Sequence, residues 1–461
     1  MNTNPAIPSG WNVLLSKTAP NALYDSKARY DRPKCDEDTR VEVITEITNW
    51  IEDRESPQRL LCMTGAAGAG KSALQQTTAE SCSKSNILGS AYFFAESDRT
   101  RNTTSSLVPT IAYQLGRGNP GLKQYIGSAV EEDPLIFSKS LQYLTTALIC
   151  DPVRRLRNEG KLDLASFRYA ILIDGLDECQ GEDSQAEVLM AVKECLLDDD
   201  IPFRIFIASR PECAIHDALQ SGGELHGLAY HIQLSDHYDA TADIRRYLWR
   251  RLQELGLRSR DSRARSGGWF SEEDIEKLVV AASGQFIFAA TVVRYLAERR
   301  SSPVDRLKTI LTWTPSDKQS ARPFEKLDLL YHNILSAAKT AFEAVDTHSE
   351  SDFLALFRAY HINATRGFGN PAISFPNEEL NHVLHVSGDI LISDLRSLVT
   401  TRPHPCGAVL HLYHKSFSDF LNARSRSKDL FVPSAHVESY LAKSYLGNVL
   451  WYPEIGAWSS S

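Results

Sequence analysis

The segment Leu60–Leu74 reads Leu-Leu-Cys-Met-Thr-Gly-Ala-Ala-Gly-Ala-Gly-Lys-Ser-Ala-Leu. A short apolar run that favours a β-strand leads into a glycine-rich turn, and a helix-compatible segment follows. The turn matches G-x-x-x-x-G-K-[ST] at Gly65, Gly70, Lys71 and Ser72. Glycines let backbone N–H groups converge on an anion without interference from a Cβ atom, and the start of the helix adds the positive end of its dipole. The segment therefore predicts a phosphate-binding loop.

The parts of this loop have distinct expected roles in binding a nucleotide. Lys71 is expected to reach the β- and γ-phosphates, and Ser72 to offer its hydroxyl to Mg²⁺. The residues expected to line the nucleotide are Gly65, Ala66, Ala67, Gly68, Ala69, Gly70, Lys71, Ser72 and Ala73. A chance match is the alternative, and the strand-like run before the turn and the helical run after it argue against that alternative.

The composition is that of a soluble globular protein with room for about three domains. The chain has 461 residues, of which 43% are hydrophobic and 23% charged, and its formal net charge is −8. This charge argues against a general binder of nucleic acid or of anionic membranes. The longest apolar run, Phe286–Val293, is too short to span a bilayer, and Met1–Gly10 does not resemble a secretory signal. Eight scattered cysteines without a C-x-x-C pair suit reduced thiols, so we expect a cytoplasmic protein.

The first half of the chain alternates strand and helix patterns. We expect an irregular lead-in over residues 1–35, and then a helix that Thr39 and Glu42 begin with a capping box. Strands are expected at the run from Leu60 and at Ile87–Phe94, Arg168–Ile173, Phe203–Ala208 and Ala229–Leu234. Helices are expected after the glycine-rich turn and over about 104–116, 119–131 (with Asn119 as N-cap), 138–149 and 184–197. This alternation predicts a parallel, doubly wound α/β sheet over about 58–235.

From about residue 239 the pattern becomes mostly helical. Helices are expected over about 241–255, 271–283, 285–299, 303–312, 323–345 and 350–360. The Ser/Arg/Gly-rich residues 256–268 between two of them suit either an RNA-binding patch or a solvated, mobile loop. Residues 376–432 combine short helical patterns with one strand-like run, Ala408–Leu412, which fits a small helical domain with a β-wing.

A second candidate part of the nucleotide site follows the third expected strand. The run Tyr169–Ile173 ends in Asp174-Gly-Leu-Asp177-Glu178. Ligands of open α/β sheets bind beyond the carboxyl ends of the strands, so Asp174 is expected to hold Mg²⁺ opposite Ser72 as a Walker-B acid. Asp177 and Glu178 are the candidates for orienting an attacking water. The alternative is an ordinary acidic turn after a strand.

A cation follows the next expected strand. Phe203–Ala208 leads into Ser209-Arg210-Pro211, and an arginine at this end of the sheet can reach a γ-phosphate. Arg210 is therefore a candidate γ-phosphate sensor. The alternative is an ordinary surface arginine.

These residues resemble the NACHT branch of the STAND class of P-loop NTPases, especially the NACHT proteins of fungi. A small residue after the Walker-B aspartate, with acids three and four residues on, is typical of NACHT proteins. The runs that carry the resemblance are Thr64–Ser72, Ile171–Glu178, Ala208–Glu212, Ser283–Thr291, Leu327–Tyr331 and Tyr413–Leu421, with the lead-in runs Ala22–Ser26, Pro33–Cys35 and Thr39-Arg40. Together they span about residues 20–450. Relatives often have a proline after the helical-domain glycine, whereas Gln285 follows Gly284 here.

The resemblance implies a domain order. It implies an α/β, parallel-sheet P-loop NTPase domain of the ASCE type over 36–238, a helical domain over 239–322, a winged-helix domain with preceding helices over 323–432, and a C-terminal helical tail over 433–461. Relatives usually add an N-terminal effector and C-terminal repeats, and we expect neither within these residues.

The resemblance also implies a switch that uses ATP, ADP and Mg²⁺. ADP would hold the winged helix against the NTPase core, and exchange for ATP would release it for homo-oligomerisation. His414 matches a winged-helix histidine that contacts a nucleotide phosphate in relatives. ATP rather than GTP follows from the resemblance, and the chain has no obvious N-K-x-D motif for reading guanine. We expect no nucleic-acid partner and no membrane span, and the sequence does not identify protein partners.

Three functions fit the sequence. The first is a nucleotide-controlled signalling switch, of the kind used in innate immunity, with slow ATP hydrolysis. The second is a small-molecule kinase or other turnover enzyme, for which no lid motif or further catalytic base is recognisable. The third is a scaffold whose nucleotide is never hydrolysed, against which the acids Asp174, Asp177 and Glu178 count.

Overall fold

The computed structural model describes residues 9–29, 33–96, 98–234, 238–298, 301–313, 324–345, 352–365, 377–384, 386, 388–404 and 407–451. The first eight residues of the expected lead-in, the beginnings of the helices expected at 323–345 and 350–360, and the last ten residues of the expected tail lie outside these ranges. The chain divides into two compact units, Met1–Asp239 and Ala240–Ser461.

A five-stranded sheet forms the centre of the first unit. Its strands are β1 (Leu60–Thr64), β2 (Leu88–Phe93), β3 (Ala170–Asp174), β4 (Arg204–Ser209) and β5 (Ala229–Gln233). Their order is β2-β3-β4-β1-β5, and every pairing is parallel. Strands β1 to β4 are buried along their whole length, while β5, at one edge, is partly exposed. The predicted α/β fold of a parallel-sheet P-loop NTPase is confirmed.

Helices connect and cover these strands. The α-helices of the first unit are Gly10–Ser16, Val41–Glu52, Lys71–Lys84, Leu107–Gly118, Pro120–Glu132, Leu141–Thr145, Asp151–Asn158, Glu182–Ala191 and Cys213–Leu219. Two π-helical turns, Thr146–Cys150 and Val192–Leu196, continue helices of this set. The predicted N-cap is confirmed at Asn119, whose side chain accepts the amide hydrogens of Gly121 and Leu122.

The predicted capping box at Thr39 is wrong. The N-cap of Val41–Glu52 is Arg40, in the left-handed region at φ 56°, and no side chain caps the helix. Thr39 instead donates its hydroxyl to the carbonyl of Asp36, at 2.7 Å. That local turn competes with the helix for the hydroxyl, a common outcome for threonine.

The described part of the lead-in, which was expected to be irregular, contains one α-helix and two short 3-10 turns, while residues 33–38 have no regular secondary structure. Helix Gly10–Ser16 packs on helix Pro120–Glu132, and the Gly10 amide donates to Glu131 Oε1 at 2.8 Å. Leu14, Ala19 and Ala22 are buried in the core of the unit. The described part of the lead-in therefore contributes to the core of the first unit.

The second unit is mostly helical. Its α-helices are Thr241–Arg258, Ser262–Arg265, Glu272–Ala282, Phe286–Ala297, Pro303–Trp313, Glu325–Glu343, Phe353–Thr365, Asn377–Leu384, Gly388–Leu391, Lys415–Asn422, Arg424–Ser427 and Ser434–Trp451. An antiparallel hairpin joins β6 (Val399–His404) and β7 (Gly407–Leu412). The expected strand Ala408–Leu412 is confirmed, while β6 was not expected, since proline is unfavourable inside most strands and the run contains Pro403.

The arginine-rich residues 256–268 are neither wholly a loop nor uniformly available to an anion. Asp261 caps helix Ser262–Arg265 through the amide of Arg263. The Arg263 guanidinium also donates to Asp261 at 2.7 Å and to Asp305 at 2.8 Å. One of the four arginines of this segment is therefore held by carboxylates.

The described residues contain neither a membrane-spanning helix nor a disulfide bond. No helix in those ranges is both long and apolar enough to cross a membrane. The seven cysteines among them are all free thiols, and six of these lie buried or partly buried.

We predict that Gly10→Ala destabilises the first unit. A Cβ atom at position 10 would overlap the carbonyl oxygen of Gly127, so the two helices would have to move apart. We expect the melting temperature, measured by differential scanning fluorimetry, to fall by about 3–8 °C. Gly118→Ala is the matched control, since a Cβ atom there meets only the side chain of Arg168 at ordinary contact distance. Equal melting temperatures for the two variants would contradict the packing argument.

Candidate nucleotide-binding site

The predicted phosphate-binding loop connects β1 to helix Lys71–Lys84. Gly68 and Gly70 adopt φ angles of 81° and 99°, which residues with a Cβ atom rarely adopt. The Lys71 ammonium folds back over the loop and donates to the carbonyls of Gly65 at 2.7 Å and Ala66 at 3.1 Å. Strand, turn and helix thus follow each other as the motif requires.

The Lys71 ammonium lies in a polar, partly desolvated setting. The pKa of Lys71 is lowered from 10.5 to about 8, mainly by burial and also by the charge of Arg210, although Asp177, Asp174 and Glu178 oppose this shift. These charges surround the loop because the carboxyl ends of the strands meet at one edge of the sheet. An anion bound at the loop would stabilise the charged form of Lys71.

Asp174 is the last residue of β3 and is only 4% exposed. Burial raises the pKa of Asp174 from 3.8 to about 6, although the hydrogen bond with Ser72 and the charges of Arg29 and Lys71 oppose the rise. Among the residues that the structure describes, nothing hydrogen-bonds to Asp174 Oδ1. A buried carboxylate oxygen of this kind beside a serine hydroxyl fits a Mg²⁺ ion, because Mg²⁺ prefers oxygen ligands.

Asp177 hydrogen-bonds to the backbone of Arg210 and forms an ion pair with its side chain. Its Oδ1 accepts the backbone N–H of Arg210 at 3.1 Å and the Ser209 hydroxyl at 3.4 Å. Its Oδ2 lies 3.2 Å from Arg210 Nε, in an ion pair where the Asp177 side chain is 4% exposed. Asp177 therefore orients the arginine at the end of β4.

Glu178 has a different environment from Asp177. Its side chain is partly exposed, and its Oε2 accepts the backbone N–H of Glu96 at 3.1 Å. The turn that separates it from Asp174 contains Gly175 at φ 70°, where a side chain would be strained. The backbone amide of Glu96 thus helps to fix the Glu178 carboxylate beside the turn that follows β3.

The strand order explains how these residues meet. Strand β4 lies between β1 and β3, so Arg210 follows the strand that separates the loop from Asp174. The sequence candidates Lys71, Ser72, Asp174, Asp177, Glu178 and Arg210 all lie at this edge of the sheet. Sequence reasoning could not place Arg210 between the other two elements, because the motif spacing does not reveal strand order.

His414 lies in the second unit and caps helix Lys415–Asn422. Its Nδ1 accepts the backbone N–H of Ser416 at 3.1 Å and lies 2.7 Å from the Ser416 hydroxyl. An Nδ1 atom that accepts this amide carries no proton, so the neutral ring bears its proton on Nε2. The ring is only partly buried.

Two arginines near the site were not recognised as site residues from the sequence. Arg40 is 5% exposed and donates to the carbonyl of Ala69 in the loop, at 2.9 Å. Arg29 is 6% exposed and is close enough to Asp174 to lower its pKa. Both precede the first apolar strand, and no motif spacing links them to the loop.

The fold and the edge residues define a P-loop NTPase domain. The family model described as Nephrocystin 3, N-terminal matches residues 43–210, which include the loop, Asp174 and Arg210. Among solved structures, the chain is similar to one in the structure of Drosophila ORC bound to DNA, with 14% sequence identity and a TM-score of 0.40. That similarity covers 84% of this chain and 96% of the other. No curated protein sequence matches the chain.

We predict that Asp174→Asn stabilises the protein when nucleotide and metal are removed. The pKa of Asp174 is raised from 3.8 to about 6, so the folded state keeps a proton that the unfolded state loses as the pH rises. The wild-type protein should therefore lose stability between about pH 4 and 6 relative to Asp174→Asn, by about 1–3 kcal/mol above pH 6. Urea denaturation in EDTA at several pH values measures the difference.

The control for this prediction is Asp25→Asn, which neutralises an exposed carboxylate in the same unit. We expect it to leave the pH dependence of stability unchanged. An Asp174→Asn protein that is less stable than the wild type at pH 7.5 would contradict the prediction.

Proposed function

We propose that this chain is a NACHT-type switch that binds ATP or ADP with Mg²⁺ and hydrolyses ATP slowly. The observation that carries the proposal is the meeting of Lys71, Ser72 and Asp174 at one edge of a parallel sheet. Phosphate loops, a metal-binding hydroxyl and a Walker-B acid have this relationship in P-loop NTPases. Bound Mg²⁺ would neutralise the negative charge that develops on the phosphates.

In this proposal the protein residues position and polarise the nucleotide. The backbone of Gly65–Gly70 and the ammonium of Lys71 hold the phosphates, and Ser72 and Asp174 hold the metal. Arg210, aimed by Asp177, senses the γ-phosphate. Glu178 orients the attacking water and accepts its proton. Asp177 is the weaker candidate for this base, because both of its oxygens contact Arg210.

We further propose that the chain comprises the NTPase domain at 36–238, a helical domain at 239–322, a winged-helix domain at 323–432 and a helical tail at 433–461. Two features support this assignment. The chain divides into two compact units after Asp239. Helix Lys415–Asn422 follows the paired strands β6 and β7, as in a winged helix. In this arrangement His414 contacts a phosphate of bound ADP through Nε2 and keeps the switch closed. Exchange for ATP would open it and permit homo-oligomerisation, in the cytoplasm.

A switch of this kind requires a ligand that binds one state more tightly than the other. A γ-phosphate contacted by Arg210 supplies such a difference between ATP and ADP. The alternatives are a scaffold that binds nucleotide without turnover and a small-molecule kinase. The identity of the nucleotide that co-purifies with the protein discriminates among them, because tightly held ADP favours the switch and an empty site favours a turnover enzyme.

We predict that Glu178→Gln binds ATP normally and hydrolyses it slowly. The substitution removes the proposed base and keeps the side-chain size, so hydrolysis should fall about 100-fold while the ATP-induced rise in melting temperature persists. Phosphate release and thermal shift with Mg-ATP measure the two quantities. Lys71→Ala is the control for binding and should lose the thermal shift, since a bound ligand at 100 times its Kd contributes about 2.7 kcal/mol.

Asp177→Asn provides the contrast for Glu178→Gln. Should Asp177→Asn abolish hydrolysis while Glu178→Gln leaves it at the wild-type rate, the assignment of the base to Glu178 would be wrong. A thermal shift that persists in Lys71→Ala would instead contradict the nucleotide site itself.

We predict that His414→Asn releases ADP faster while the helix cap persists. Asparagine is a good N-cap and can accept the Ser416 amide, but it has no group equivalent to the imidazole Nε2–H. Loss of a hydrogen bond to a charged phosphate costs about 1.5–3 kcal/mol, so release of a fluorescent ADP analogue should accelerate about tenfold to 100-fold. Light scattering with ATP should show more oligomer. Release at the wild-type rate would limit His414 to its capping role.

A further inference from the structure

The lead-in runs along helix Lys71–Lys84, the helix that begins at the phosphate-binding loop. The contacts are Tyr24 hydroxyl with Ser83 hydroxyl at 2.8 Å, Lys34 Nζ with Glu80 Oε2 at 2.5 Å, and Cys35 amide with Thr77 hydroxyl at 3.2 Å. The part of the lead-in before Tyr24 is also held by the core, in which Leu14, Ala19 and Ala22 are buried. The described residues of this segment, 24–29 and 33–35, which we name the brace, thus contact helix Lys71–Lys84 at three positions.

Arg29 is the buried cation of the brace. Its Nη1 donates to Gln76 Oε1 at 2.9 Å, and its Cζ lies 3.6 Å from the centre of the Phe93 ring. Gln76 is fully buried and also donates to the carbonyl of Tyr24 at 3.2 Å. Arg29 therefore connects the helix after the loop to strand β2.

The two residues that Arg29 connects are neighbours of the proposed metal ligands. Gln76 follows Ser72 by four positions, so the two side chains lie on the same face of the helix, one turn apart. Phe93 is the register partner of Asp174, and the amide of Phe94 donates to the Asp174 carbonyl at 2.9 Å. Arg29 thus connects Gln76, one helical turn after Ser72, to Phe93, the strand neighbour of Asp174. A Mg²⁺ ion would connect Ser72 to Asp174 in the same way.

We propose that Arg29 is a positioning residue that sets the separation of Ser72 and Asp174 for a divalent cation. The proposal rests on the function proposed above. It matters chemically because Mg²⁺ requires nearly ideal octahedral geometry, whereas Ca²⁺ accepts longer and more variable ligand arrangements. Residues that orient metal ligands commonly change metal affinity by about 10-fold to 100-fold when they are replaced.

The test compares Arg29→Met with the wild-type protein over the full chain. The Kd of a fluorescent ADP analogue is measured in Mg²⁺, in Ca²⁺ and in EDTA. We expect Arg29→Met to weaken binding about tenfold in Mg²⁺, by less than about threefold in Ca²⁺ and not measurably in EDTA. A general loss of folding would change all three values together, so the ratio between the metals isolates positioning from stability.

Gln76→Leu distinguishes the hydrogen bond between Arg29 and Gln76 from the charge of Arg29. It removes the acceptor Gln76 Oε1 and leaves the guanidinium in place. It should reproduce the loss in Mg²⁺, and the double variant should bind no more weakly than either single variant. Lys34→Met is the matched control, since it removes another cation of the brace, one that is half exposed and pairs with Glu80. It should bind like the wild type under all three conditions.

The other possible results of these binding measurements contradict either the positioning role of Arg29 or the proposed function. Wild-type-like binding by Arg29→Met overturns the proposal. The proposal also fails if Arg29→Met binds more weakly while Gln76→Leu binds like the wild type, because the effect would then come from the charge of Arg29 alone. If Arg29→Met does not fold, Arg29→Lys is measured instead, with the same selective loss in Mg²⁺ expected. A wild-type protein that binds no nucleotide overturns the function proposed above, and the positioning role with it.

Discussion

The candidate site depends on a carboxylate that is held out of water. Asp174 ends a strand that is buried along its whole length, and its pKa is raised to about 6, mainly because burial disfavours the charged form. Ser72, Lys71 and Arg29 offset part of that penalty, so polar groups from two separate parts of the chain stabilise the charged carboxylate. The protein gives up stability to keep a poorly solvated carboxylate at this position, as functional sites commonly do.

The sequence predicted the strands well because each is a short apolar run bounded by turn-forming residues. Local signals also located the loop and the N-cap at Asn119. The strand order could not be predicted, since pairing depends on long-range packing that no local pattern records. Placing β4 between β1 and β3 is what brings Arg210 beside both Lys71 and Asp177.

The errors near the beginning of the chain have a common physical cause. Prolines and asparagines in the lead-in suggest an irregular segment, but Gly10 lets its helix approach helix Pro120–Glu132 closely. Thr39 has the spacing of a capping residue, yet its hydroxyl is already satisfied by Asp36. In both places a tertiary or turn contact outweighs a propensity of about 1 kcal/mol. Arg40 reaches the carbonyl of Ala69 in the loop, and Arg29 reaches Gln76 in the helix that follows, through long-range contacts that the sequence does not reveal.

The cations of the site already have protein partners. Lys71 donates to the carbonyls of Gly65 and Ala66, and Arg210 pairs with Asp177. A nucleotide phosphate that takes either cation must therefore replace an internal contact rather than simply add one. The binding free energy would then be the difference between two sets of contacts, and in the function proposed above the γ-phosphate of ATP would change that difference. The ion-pair partner of Arg210 is Asp177, which directly precedes Glu178. A change in the Arg210 contacts would therefore act on the residue next to the proposed base. In the proposed function, the partner of the sensing arginine and the hydrolytic base would thus lie on one short turn after Asp174.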